Sequence, residues 1–208
     1  MIGIGEIMNE IKIVLLDSHQ MFATGLKELL SKEKNLRIMD CFYNTKELEN
    51  SISQNNPDII IMEAKIEYNN GFNLLACITR SFPHIKVIML AEQIYCEYIE
   101  LAYEYGASAL LETKKSVNSL INCINQVSEG YRLLPSFNDF HKNKFLTSQE
   151  RIILNLISED RKNKEISQIL SVSSRTVENH VSSILRKLDA SSRVGAVVEG
   201  IKRGLIAI

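Results

Sequence analysis

Two carboxylates stand where buried strands would deliver them. The stretch "PDIIIMEAK", residues 57–65, reads as an apolar strand carrying Glu63 at its C-terminal end. "IKIVLL", residues 11–16, ends in the same way on Asp17. A carboxylate in that place is either a catalytic group or a plain loop acid. A second constellation lies near the C-terminus, in "SSRTVENHVSSILRKL". Val177, Val181, Ile184, Leu185 and Leu188 fall on one helix face; Arg175, Glu178, Asn179, Ser182 and Arg186 fall on the other. A short turn between two helices, followed by a helix with a small, polar outer face, is a helix-turn-helix arrangement. Bulky apolar groups cannot face outward on a helix that enters a groove one helix wide. The free N–H groups at its start, capped by Ser173 or Ser174, favour a phosphate. A solvated face on a packed four-helix unit is the alternative.

No further nucleophile, base or phosphate loop presents itself, so an enzyme is not expected. Cys41, Cys77, Cys96 and Cys123 form no CxxC, and no His lies at metal spacing. A zinc site and a cofactor are therefore not expected. Each cysteine sits inside an apolar pattern, as reduced core thiols of a cytoplasmic protein do. His180 reads as a packed helix residue.

The elements that must position these groups alternate. "IKIVLL", "LRIMDCF", "DIIIM", "KVIML" and "SALLE" read as strands. Between and after them run five helical patterns. The first carries Met21, Phe22, Leu26, Leu29 and Leu30 at helical spacing. The second opens at Thr45, with Glu47 and Glu49 early and Leu48 and Ile52 on its stripe, and Pro57 closes it. Gly106 stops the fourth and Gly130 the fifth. Continuous apolar strands demand a parallel sheet covered on both faces. Right-handed crossovers then make it doubly wound, with chemistry at the C-terminal strand ends.

The expected fold is thus an α/β doubly wound five-stranded parallel sheet, followed by a small all-α four-helix domain. Residues 9–131 form the first domain, 132–145 a linker, and 146–208 the second. "TSQE" at 147–150 is a capping box opening a helix with Ile152, Ile153, Leu156 and Ile157 inward.

The chain has 208 residues and net charge -1. Residues 147–208 hold ten basic and seven acidic groups, and the remainder 14 and 18, a weak pointer to nucleic acid at the C-terminal end. No apolar run reaches the ~18 residues of a membrane span. "MIGIGEIMNE" lacks a basic n-region and reads as a lead-in, with Met8 as an alternative start.

Over about the last sixty residues the chain resembles the LuxR-type helix-turn-helix of NarL/FixJ response regulators. Leu146-Thr147 with Glu150, Asn163-Lys164-Glu165-Ile166, Ser174 with Thr176-Val177, His180-Val181, and Leu185-Arg186-Lys187-Leu188 carry that resemblance. It implies that the chain binds double-stranded DNA at a two-fold operator. Lys164, Arg175, Thr176 and Lys187 would grip phosphates, beside Ser174 and Arg186. Glu178, Asn179 and Ser182 would face base edges. Glu178 can accept from cytosine N4. Fewer cations there than in many relatives imply weaker non-specific attraction. Val194, Val197, Val198 and Ile201 resemble a dimerising helix, with core packing the alternative.

Residues 11–131 resemble a receiver domain, with its flavodoxin-like strand order. Receivers transfer a phosphoryl group to one aspartate, beside paired acids that hold Mg²⁺. Here the paired acids match Asp17 and Ser18, and the acceptor matches Glu63. The hydroxyl after the fourth strand matches Ala91, and the lysine after the fifth matches Thr113. Ile66-Glu67 replaces the usual Met-Pro, while Gly71 is retained. Only Asp17 is kept of the five working positions, so the pocket reads as degenerate and aspartyl-phosphate signalling is not expected. Glu63 is expected to pair with Lys114 or Lys115, or else to stand in for a phosphorylated state.

The resulting expectation is a phosphorylation-independent transcription regulator. It would act as a homodimer, through its fourth and fifth helices or its last helix, with no membrane attachment. A regulatory protein or small molecule would act at the receiver-like domain, where Tyr95, Tyr98, Tyr103 and Tyr105 gather. The competing readings are a phosphorelay regulator with a non-standard acceptor such as Glu63 or Asp58, and an interaction module with vestigial DNA binding.

Overall fold

A computed structural model describes residues 10–45, 48–66, 69–136 and 145–206. The lead-in around Met8, together with Glu47 and Glu67, lies outside the described residues. The chain divides into two compact units, the first of residues up to Ile94 and Ile99–Pro135, the second of Tyr95–Tyr98 and the residues from Ser136 onward.

In the first unit the strands are β1 (Ile11–Leu16), β2 (Leu36–Phe42), β3 (Ile59–Glu63), β4 (Lys65–Ile66), β5 (Asn69–Asn70), β6 (Lys86–Ala91) and β7 (Ala109–Glu112). The helices are α1 (Gln20–Leu30), α2 (Leu48–Asn55), α3 (Gly71–Ser81), α4 (Cys96–Glu104) and α5 (Val117–Ser128). Five strands form one parallel sheet in the order β2-β1-β3-β6-β7. That is the flavodoxin-like doubly wound order, whose strand sequence reverses between β1 and β3. The reversal opens a crevice at the C-terminal ends of those two strands, and Asp17 and Glu63 stand there.

Strand residues alternate between two buried faces. Ile13, Leu15, Ile59, Ile61, Ile88 and Leu90 pack with Leu26 and Leu30 of α1 and Leu120, Ile124 and Val127 of α5. Their neighbours Val14, Ile60, Met62, Val87 and Met89 are fully buried too. Burial on both faces explains why these strands are apolar without interruption.

Four details depart from the sequence reading. Ala23, Leu26 and Leu30 form the inner stripe of α1, while Met21, Phe22 and Leu29 are exposed. Helical spacing alone did not say which apolar stripe faces the sheet. Cys77 is exposed on the outer side of α3, unlike buried Cys96 and Cys123. The short strands β4 and β5 pair antiparallel, with Lys65 opposite Asn70 and Ile66 opposite Asn69, in place of a plain loop. Finally, Leu133 runs beside Ala109, accepting from Leu110 N–H at 3.3 Å and donating to the Ser108 carbonyl at 2.8 Å. The first residues assigned to the linker therefore extend the sheet edge.

The second unit comprises α6 (Ser148–Ser158), α7 (Asn163–Ile169), α8 (Ser174–Leu188) and α9 (Arg193–Lys202). Its core joins Leu146, Ile153, Leu154, Ile157, Ile166, Val177, Ile184, Leu188, Ala196 and Ile206. Leu154 takes the inward place expected of Ile152, which is 45% exposed. The cause is that α6 must pack on both α8 and α9. Its buried residues are then Glu150, Ile153, Leu154 and Ile157, spaced i, i+3, i+4, i+7. Gly200 lets α9 close in, since a Cβ there would press on Ile206 and Leu154. Among the described residues, no helix is long and apolar enough to cross a membrane.

Candidate functional site

At the crevice, Asp17 leaves β1 and is 7% exposed. Glu63 ends β3, with its side chain 12% exposed. The Ser18 hydroxyl donates to Glu63 Oε2 at 2.8 Å, and the Ser18 N–H reaches the same oxygen at 3.3 Å. His19 donates its backbone N–H to Asp17 Oδ1 at 2.8 Å. Its Nδ1 lies 3.2 Å from Asp17 Oδ1 and 3.3 Å from Glu63 Oε1. Burial pushes the pKa of both acids up. For Asp17 the contacts with His19 act against this; for Glu63 the Ser18 hydroxyl acts against it, while the Asp17 charge adds to it.

Among the described residues, the carboxylate of Glu63 pairs with no lysine. Lys114 Nζ lies 2.9 Å from Glu112 instead, and Lys115 is exposed. Ala91 is buried at the end of β6 and accepts the Thr113 N–H at 2.8 Å. The five positions therefore do reach one end of the sheet, but Ala91 brings no hydroxyl and Thr113 no ammonium. Asp58 lies at the other end, where it accepts the Lys12 N–H at 2.8 Å.

Gly71 holds this end together. Its N–H donates to the Ala64 carbonyl at 3.0 Å, and a Cβ would overlap the Glu63 and Ala64 carbonyl oxygens. Glycine is required here by close approach.

Receiver-type Mg²⁺ is held by oxygens, with two acids after the first strand. The residues here fit it poorly. Ser18 brings no charge, and its hydroxyl is directed to Glu63. What the sequence reading missed is His19. Spacing showed no metal grouping, yet the fold brings Asp17, His19 and Glu63 together, with one ligand atom of each within 4.8 Å of the others. The pair Asp17-x-His19 was visible; the third member arrives only through strand pairing.

In the second unit, the capping box is present. Glu150 N–H donates to Thr147 Oγ1 at 3.2 Å, and Thr147 N–H to Glu150 Oε2 at 2.7 Å. Ser173 caps α8, accepting the Thr176 N–H at 3.1 Å. The preceding turn passes through Ser171 at φ 54. Ser174 donates to Ser167 at 3.4 Å, tying α8 to α7. Val177, Ile184 and Leu188 are buried, whereas Arg175, Glu178, Asn179, Ser182 and Arg186 are exposed together. Ser182 donates to its own helix at the Glu178 carbonyl, 2.9 Å away. Lys164 is exposed, Thr176 half-buried and His180 half-buried.

Lys187 departs from expectation. Its ammonium lies 2.7 Å from Glu150 Oε2, and its side chain is only 13% exposed. It is the half-buried partner of the α6 cap, where an exposed phosphate contact was expected. On α9, Val194 and Val198 are exposed, while Val197 and Ile201 pack against the core. Arg193, also unforeseen, donates to Asn163 Oδ1 at 2.7 Å and to the Arg161 carbonyl at 2.6 Å.

Comparison with known proteins matches both units. Residues 13–125 match the response regulator receiver domain, and residues 144–199 match the luxR family of bacterial regulatory proteins. The transcriptional regulatory protein DegU of Brevibacillus brevis is 27% identical over 228 residues, covering 96% of this chain and 97% of DegU. The response regulator protein VraR of Staphylococcus aureus is 27% identical over 206 residues, covering 94% and 99%. Among solved structures, the two-component response regulator RcsB in its DNA complex superposes with a TM-score of 0.73 at 18% identity, covering 92% and 98%; at that identity it speaks to the fold alone. The receiver family spans more than half of the 208 residues. This chain accordingly belongs to the response regulators, as a DNA-binding transcription regulator in which a receiver domain precedes a luxR-type helix-turn-helix domain.

Proposed function

We propose that this response regulator controls transcription without passing through an aspartyl phosphate. The observation that carries this reading is the 2.8 Å hydrogen bond from Ser18 to Glu63. The residue that replaces the second acid holds the residue that replaces the acceptor. A Glu carboxylate also sits one methylene further out than Asp, and displacement near 1 Å costs in-line transfer on the order of 10². With Ala91 and Thr113 opposite, neither a hydroxyl nor a lysine would report a phosphoryl group.

Output lies in α7 and α8, with Lys164 of α7 and Arg175 of α8 on phosphates and Glu178, Asn179 and Ser182 of α8 toward base edges. The regulator acts as a homodimer on a two-fold operator. Val194 and Val198, open on α9, are its apolar contact. Exposed Tyr103, whose ring lies 5.8 Å from the Arg132 guanidinium, offers the receiver a surface for a protein or small-molecule partner.

The test is incubation of the full chain with acetyl phosphate and MgCl₂, followed by intact mass and operator titration. Mass and affinity should both stay unchanged. A gain of one phosphoryl group would instead establish a phosphorelay regulator with a non-standard acceptor. Absence of salt-sensitive DNA binding would leave an interaction module.

A further inference from the structure

We infer that the crevice between β1 and β3 is a binding site for a borderline divalent transition metal, Zn²⁺ in chemical class. Its ligands are His19 Nδ1, Asp17 Oδ1 and Glu63 Oε1. This differs from the Mg²⁺ site implied by the receiver resemblance in both metal and ligand set, and it depends on neither DNA binding nor the loss of phosphoryl transfer.

The distances decide between a hydrogen-bonded cluster and a coordination shell. Charge-assisted N–H···O bonds run about 2.7–2.9 Å. His19 Nδ1 instead lies at 3.2 Å and 3.3 Å from two different carboxylate oxygens. One ring N–H cannot serve both well. Bonds of about 2.0–2.2 Å to a tetrahedral ion put its ligand atoms about 3.3–3.6 Å apart. Octahedral Mg²⁺, at about 2.0–2.1 Å, wants neighbouring oxygens about 2.9 Å apart and no nitrogen. The two edges from His19 therefore come nearer to the spacing of the first ion, and the Asp17 and Glu63 oxygens lie within 4.8 Å of each other. One imidazole with two carboxylates is also a donor set of zinc type, with a fourth position left for water.

The surroundings suit the role. Ser18 donates to Glu63 Oε2, which orients that carboxylate and leaves Oε1 facing His19. The His19 backbone N–H donates to Asp17 Oδ1 itself, fixing that carboxylate through one lone pair and leaving the other for the ion. Such outer hydrogen bonds hold ligands in place for a metal. The His19 side chain is 62% exposed, so an ion can enter from solvent. The Ser18 replacement thus removes an Mg²⁺ ligand and supplies a support for another ion.

Calorimetric titration of chelator-treated full chain with ZnCl₂ tests this, with MgCl₂ as competitor. One Zn²⁺ should bind per chain, and millimolar Mg²⁺ should not displace it. His19→Ala should weaken binding by more than the roughly 10–100-fold typical of losing an outer partner. That variant should fold, because the imidazole lies mostly in solvent. Cys77→Ser should bind as the parent does. Ser18→Asp should shift preference toward Mg²⁺. Three outcomes would overturn the inference: no saturable Zn²⁺ binding, equal binding in His19→Ala, or ready displacement by Mg²⁺. A phosphoryl gain with acetyl phosphate would sink the proposed function while leaving these metal titrations to stand or fall alone.

Discussion

Lys187 Nζ lies 2.7 Å from Glu150 Oε2 and joins the last turn of α8 to the first turn of α6. Burial alone would raise the Glu150 pKa. Lys187, Ser183 and Thr147 outweigh burial and hold it at about 2. A group depressed in the fold lends stability above its ordinary value, and that stability is lost as pH falls through the folded value. The helix-turn-helix unit should therefore weaken progressively from about pH 5 to about pH 2. Lys187→Met leaves the buried carboxylate without its ammonium partner and should cost about 3–5 kcal/mol at neutral pH. Thermal melting of both proteins across that range checks the sign: the acid loss should be large in the parent and small in the variant. If Lys187 gripped phosphate instead, its removal would lower the salt slope of DNA binding and leave melting nearly unchanged.

Gly71 sets the second prediction. Gly71→Ala forces a methyl against two backbone carbonyls, one of them on Glu63. Overpacking of that kind costs about 1–3 kcal/mol. The receiver unit should lose that much in urea unfolding, and the Ser18–Glu63 hydrogen bond should loosen with it. An unchanged midpoint would mean that the backbone around Gly71 yields freely.

Ser171 carries the turn of the helix-turn-helix at φ 54, a left-handed conformation that favours glycine. Ser171→Gly should relieve about 1 kcal/mol of backbone strain, less the added freedom of the unfolded chain. A rise of a few degrees in the melting of the second unit is the expected result. A fall would show that the serine side chain contributes more than its backbone costs.

These sites differ in how far the sequence announces them. The apolar strands imposed a parallel sheet, because only burial on both faces tolerates such runs, and the crevice followed from strand order. The "TSQE" box and the Ser173 cap are local and were legible for that reason. Which stripe of α1 or α6 faces inward was not, because Met21 and Ile152 satisfy helical spacing as well as Ala23 and Leu154 do. The partners of Glu63 and Lys187 were hidden for a related cause. Each is chosen by a residue from another element, and sequence spacing does not encode that approach. Lys114 and Lys115, beside the position where the receiver resemblance expects a lysine, thus looked like partners, while the serine and histidine after β1 took the place.

Glu178 gives the sharpest test of the recognition face. It is exposed between Arg175 and Ser182 on α8. A carboxylate only accepts, so in a major groove it favours the cytosine N4 donor and opposes base edges rich in acceptors. Gln offers a donor beside its acceptor and pairs best with adenine. Selection of binding sites from a random pool should show Glu178→Gln changing preference at one base pair in each half-site, by about 1–3 kcal/mol. Arg175→Ala should behave differently, weakening all sequences alike and lowering the salt slope by about one. Should Glu178→Gln simply tighten binding to every sequence, the carboxylate would be acting through repulsion of phosphates, and base readout would rest on Asn179 and Ser182.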